Sequence, residues 1–63
     1  MSKRKVLAVR DNRLFVREYE RAYYQLNEFG DLVVRTYDAE DKVVATYHRD
    51  TWEYAEYVWR EDE

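Results

Sequence analysis

The chain has no cysteine, no proline and a single glycine, Gly30, among its 63 residues. Without cysteine it can form neither disulfide staples nor a thiolate zinc site, so packing alone has to supply its stability. The lack of proline and near lack of glycine leave few sharp breaks, and no linker, repeat or low-complexity stretch divides the chain. No apolar run approaches the roughly 20 residues of a membrane-spanning helix. After Met1-Ser2-Lys3-Arg4-Lys5, the stretch Val6-Leu7-Ala8-Val9 is too short for a signal-peptide core. These absences predict one small cytoplasmic domain over residues 1–63, with 1–4 and 61–63 fraying.

Chemistry-bearing residues are equally sparse. The only hydroxyl nucleophiles are Ser2, Thr36, Thr46 and Thr51, the only imidazole is His48, and no glycine-rich elbow or phosphate-cradling loop accompanies them. Asp38, Glu40 and Asp41 lack the glycine and the spacing of a calcium loop and read as turn residues. His48 reads as an exposed loop histidine, and Glu53 and Glu56 as a solvated pair. The expectation is a non-catalytic chain with no cofactor and no metal.

What the chain does have is aromatic bulk: seven tyrosines, two tryptophans and two phenylalanines make 17% of it. Each such ring buries roughly 150–250 Å2 when fully enclosed, so eleven exceed what a core this small can hide. Some must stand at the surface or in an interface. Charge is plentiful too, at 40% of residues, and unevenly placed. Seven bases against three acids give residues 1–21 a charge of +4, whereas four bases against eleven acids give residues 22–63 a charge of −7. Either the two parts face different partners or they cancel within the fold.

Pattern predicts an α+β or mostly β fold: a small antiparallel meander of four to five strands with a short C-terminal helix. A first hairpin spans residues 5–18; if Asp11-Asn12 is a two-residue turn, Val9 faces Leu14, Leu7 faces Val16 and Lys5 meets Glu18. A second spans 31–47 around the turn Asp38-Ala39-Glu40-Asp41, pairing Thr36 with Val43, Val34 with Ala45 and Leu32 with Tyr47. Residues 19–29 fit a helix, with Tyr19, Ala22, Leu26 and Phe29 on one stripe, or a strand, and the strand is preferred because the stripe needs a Phe15 that the first hairpin already uses. Residues 50–60 read as the helix, since Asp50 and Glu53 have capping-box spacing and Trp52, Ala55 and Trp59 share a helical face; the β-favouring Tyr54, Tyr57 and Val58 keep a strand open.

Two functions from different classes follow. A protein-interaction module would present Tyr19, Tyr23, Tyr24, Tyr54, Tyr57 and Trp59 to a larger protein, or to its own twin as a homodimer, because aromatic residues are enriched at interface hot spots. In length, acidity and aromatic content the chain resembles small inhibitors made by bacteriophages, which implies inhibition or regulation of that larger protein; the likeness is one of composition alone. A nucleic-acid binder would instead use Lys5, Arg10, Arg13 and Arg17 on phosphates. A minor variant is nucleic-acid mimicry by Glu53, Glu56, Glu61, Asp62 and Glu63.

Overall fold

The computed structural model describes residues 2–61 and contains six antiparallel strands in two three-stranded sheets. The strands are β1 (Lys3–Asp11), β2 (Val16–Glu20), β3 (Ala22–Leu26), β4 (Leu32–Thr36), β5 (Val43–Tyr47) and β6 (Trp52–Glu61). One sheet has the order β2-β1-β6 and the other β3-β4-β5. Among the described residues no helix is long and apolar enough to cross a membrane.

The sheets face each other across a small core. Leu7 and Val9 from β1, Ala22 from β3, and Leu32 and Val34 from β4 are buried there, with Tyr19, Tyr24, Ala45, Tyr47, Trp52 and Ala55 packed around them. The backbone is only 13 Å thick along its shortest axis, against 40 and 29 Å along the others. That matches two layers about 10 Å apart, with nothing outside them. The chain crosses between layers at Arg21, the one residue separating β2 from β3, which takes a left-handed φ of 52°. Its carbonyl accepts the Tyr37 amide, tying this corner to the end of β4.

The second hairpin follows its predicted register at Leu32–Tyr47 and Val34–Ala45. An irregularity after Val34 then pairs Arg35, not Thr36, with Val43, which leaves Val43 and Val44 exposed. Residues 22–26 form the preferred strand, and Gly30, with φ 86°, belongs to the turn after it.

The first hairpin departs from expectation. Val9 pairs with Arg17 and Leu7 with Tyr19, three residues beyond the partners Leu14 and Val16. An odd shift exchanges the faces of a strand, so Tyr19 turns inward while Leu14, Phe15 and Val16 are left in solvent. The cause is a longer turn. The Asp11 carboxylate accepts the amides of Arg13 and Phe15, the Asp11 amide donates to the Phe15 carbonyl, and Leu14 sits at φ 73°.

The predicted helix over 50–60 is strand β6. Its Asp50 lies in the turn before the strand, so the capping box is unused. Trp52, Tyr54, Tyr57, Val58 and Trp59 favour extended backbone, and pairing with β1 from Lys3–Glu61 to Asp11–Trp52 satisfies a whole edge of β6, which a lone helix of this length could not match. Lys3 and Arg4, placed above in a fraying end, pair with Glu61 and Arg60. Met1, Asp62 and Glu63 lie outside the described residues.

Central position in its sheet makes β1 the most enclosed strand: Val6, Leu7, Ala8 and Val9 are all buried. Leu7 and Val9 face the core, whereas Val6 and Ala8 face away from it. On that outer side Arg60 of β6 pairs with Glu18 of β2, and Arg4 pairs with Glu20. Since β2 and β6 stand two strand spacings apart, roughly 9.5 Å, the Arg60–Glu18 pair must arch over β1. The arch leaves Val6 only 2% exposed. The register makes opposite demands on two leucines. Leu7→Ala should cost about 2–5 kcal/mol in urea denaturation, and Leu14→Ala less than about 0.5 kcal/mol; equal costs would contradict the register.

Candidate interaction surface

Three turns meet at one end of the molecule and are locked by side chains. Asn12 donates its backbone amide to the Thr51 carbonyl and its side-chain amide to the Asp50 carbonyl. The side-chain Oδ1 of Asn27 accepts the backbone amides of Phe29 and Asp31, the Asp31 carboxylate accepts the Arg49 backbone amide, and the Trp52 indole donates to the Gly30 carbonyl at 3.3 Å. Thr51 donates its hydroxyl to the His48 carbonyl, so it serves the turn. His48 itself is exposed, 4.0 Å from Asp50. Among the described residues no three histidine or acidic side chains converge as a metal site.

From this anchored end projects the tip of the first hairpin. Leu14 is 63% exposed, Phe15 66% and Val16 50%, three consecutive apolar residues with no cover. Arg13 and Arg17 flank them, and neither holds an ion pair among the described residues. A left-handed φ at a leucine is strained; the Asp11 carboxylate and the Asn12 contacts hold the turn in it. The apolar triplet is therefore fixed in place outside the core.

The predicted aromatic set divides. Tyr19 points inward, its hydroxyl 2.5 Å from that of Tyr47, and burial pushes Tyr47 well above the usual tyrosine range. Tyr23, Tyr24 and Tyr57 meet with Tyr37, absent from the predicted set, in an open groove of about 530 Å3 edged by Asp38 and Asp41. Rings pair at 5.0 Å (Tyr23–Tyr37) and 5.7 Å (Tyr24–Tyr57). The groove's polar groups are already engaged. The Tyr23 hydroxyl donates to Asp41, whose carboxylate also takes the Arg35 guanidinium, and Asp38 accepts the Thr36 hydroxyl and the amides of Glu40 and Asp41. Lys5 lies 4.5 Å from the Tyr57 ring centre. The groove is a self-satisfied wall of the fold. Tyr54 lies on the other face of its sheet, beside Arg10, and Trp59 stands 64% exposed near the end of β6.

The basic set divides likewise. Lys5 is spent on Tyr57, and Arg10 lies over Tyr54 with Glu53 3.7 Å from its Nε, leaving Arg13 and Arg17 at the tip. Of the residues offered above for nucleic-acid mimicry, Glu53 faces Arg10 and Glu61 pairs with Lys3 in the sheet. The charge asymmetry of the sequence is thus partly cancelled, since β2 and β6 bring their carboxylates or guanidinium groups to β1 and to each other. Sequence reasoning missed Leu14 and Val16 by setting them on the apolar face opposite Val9 and Leu7, and placed Phe15 in the same hairpin; the signal for the exposed tip was the Asx-type capping power of Asp11, which lengthens the turn.

Comparison with known proteins finds no matching family model, no similar curated protein and no similar solved structure. The surface has to be understood from its own chemistry.

Several carboxylates support this geometry and hold their protons weakly. Arg60 lowers Glu18, the Asn27 amide and then the Arg49 amide lower Asp31, the Thr36 hydroxyl lowers Asp38, and Arg35 followed by Tyr23 lowers Asp41. A carboxyl group lowered by folding stabilises the fold at pH values above its unfolded pKa, near 4, and loses that contribution as pH falls through the folded value. Thermal midpoints should therefore hold between pH 7 and 5 and fall below about pH 4. Asp31→Asn should lower the midpoint at pH 7, with the difference from wild type shrinking toward pH 3; a constant difference would refute the assignment.

Proposed function

We propose that the chain is a non-catalytic protein-interaction module whose contact surface is the hairpin tip Arg13–Arg17, and that it regulates or inhibits a larger protein by occupying its surface. The observation that carries this reading is the exposure of Leu14, Phe15 and Val16 together on a braced turn. Leaving three neighbouring apolar side chains in water gains nothing for folding, and contiguous exposed apolar surface marks sites of association. Phenylalanine between two unpaired arginines has the composition of an interface hot spot: an apolar anchor for a pocket, with guanidinium groups for its rim. The braced turn adds preorganisation, so little conformational freedom is lost on binding. The partner surface that fits is an apolar pocket bordered by carboxylates.

Nucleic-acid binding is the second reading, favoured by the same free Arg13 and Arg17 with Phe15 available to stack on a base. It is weakened by Lys5 and Arg10, which already lie against Tyr57 and Tyr54, Arg10 with the Glu53 carboxylate beside it.

A photo-crosslinking residue placed at Phe15, and as a control at the equally exposed Tyr37, tests the first reading in the cell that makes the protein. One discrete protein adduct from position 15, absent from position 37 and lost in R13E/R17E, is the expected result; the same adducts from both positions would overturn it. Oligonucleotide anisotropy at about 50 and about 200 mM salt tests the second, because binding through phosphates collapses over that range. No change in anisotropy at either salt is expected.

A further inference from the structure

Strand β6 is ten residues long and bonded along one edge only, to β1. Its other edge carries the unpaired N–H and C=O groups of alternate residues, which natural sheets either block or pair. We infer that this edge pairs with the same edge of a second copy of the chain, antiparallel about a two-fold axis at Val58, joining two three-stranded sheets into one of six.

The side chains select that register. Antiparallel partners on a common face must be centred on a residue, and five centres, Ala55 to Trp59, give useful overlap; on Ala55 the glutamates Glu53 and Glu56 face only Tyr57 and Tyr54 of the other copy. Centring on Glu56 sets two carboxylates against each other at the axis. On Tyr57, Glu53 meets Glu61 of the other copy, twice. On Trp59 the overlap is short, and Arg60 faces only Val58. On Val58, by contrast, valine meets valine, each Glu56 faces the other copy's Arg60, and each Tyr57 faces the other copy's Trp59. Opposite charges and aromatic pairs directly across strands stabilise a sheet, and like charges there oppose it.

The monomer leaves these groups available. Trp59 is 64% exposed, and Glu56 holds no ion pair among the described residues. Arg60 leans over β1 to Glu18 in the monomer, so pairing with the other copy's Glu56 means swinging its exposed side chain to the free edge and exchanging one carboxylate for another. Val58, half-buried beside Val6, gains cover from its own twin. The contact is one strand wide, so it falls at or below the lower end of specific interfaces, about 1,200 Å2 in total. The dimer is accordingly a concentration-dependent one. It is separate from the hairpin tip, which stays free in both copies.

Sedimentation across a concentration series up to several hundred micromolar tests the pairing. Wild type should move from a one-chain to a two-chain mass. E56R and R60E, each placing like charges opposite each other twice, should each remain at the one-chain mass, while an equimolar mixture of the two recovers a dimer, since it restores both opposite-charge pairs. The cysteine-free chain permits an independent check: V58C should give a disulfide-linked dimer under mild oxidation, and Y54C, far from its own twin in this register, should not. A one-chain mass for wild type throughout, an undiminished dimer in E56R, or equal cross-linking of the two cysteine variants would overturn the inference. So would loss of the dimer in L14S/F15S, because association would then run through the hairpin tip.

Discussion

Enclosure of β1 on both faces is the constraint on which the rest of this structure depends. A 63-residue chain can bury little, and here four consecutive residues, Val6 to Val9, are withdrawn from water in one strand. Leu7 and Val9 require the second sheet on one side. Val6 and Ala8 require a cover on the other, and in a fold only two layers thick that cover consists of long charged side chains, with Arg60 reaching across to Glu18. Arginine suits the task because its stem lies along apolar surface while its head stays in water. The strands flanking β1 are thereby fixed in one respect: each brings charged side chains to the outer face, Glu18 and Glu20 from β2 and Arg60 from β6.

The second feature is how turns are made with almost no glycine. Left-handed backbone appears at Leu14, Arg21 and Asp41 as well as at Gly30. Three of the connections are held by side chains that accept backbone amides: Asp11, Asn27 and Asp38. Acidic and amide residues thus do locally what glycine does elsewhere by conformational freedom. Two of the fourteen acidic residues, Asp11 and Asp38, are committed to turns in this way, and the arginines of the hairpin tip are left over from the ion pairs of Arg4, Arg10, Arg35 and Arg60.

Much of the second sheet was legible in the sequence because its signals agree: Leu32, Val34, Ala45 and Tyr47 alternate inward on strands of high β-propensity, and the pairing survives until the irregularity at Arg35. The first hairpin was not, because two signals conflict there. Alternation of Leu7 and Val9 with Leu14 and Val16 favours a two-residue turn, and the carboxylate of Asp11 favours a longer one; the longer turn prevails, and every β2 side chain changes face. The C-terminal segment shows a comparable conflict between capping-box spacing and β-propensity, decided by the distant partner β1, which no local pattern discloses. The candidate site suffered most, since Leu14 and Val16 look like core until the register is known.

Pairing of β1 with β6 sets the order in which such a chain can mature. Strand β1 has β6 as its longest partner, and the other four strands lie between them in sequence. Contacts of that separation are slow to form. Val6 to Val9 remain without half their cover until β6 arrives, so the meander β3-β4-β5, whose pairings are all local, is the part able to take shape first when the chain folds.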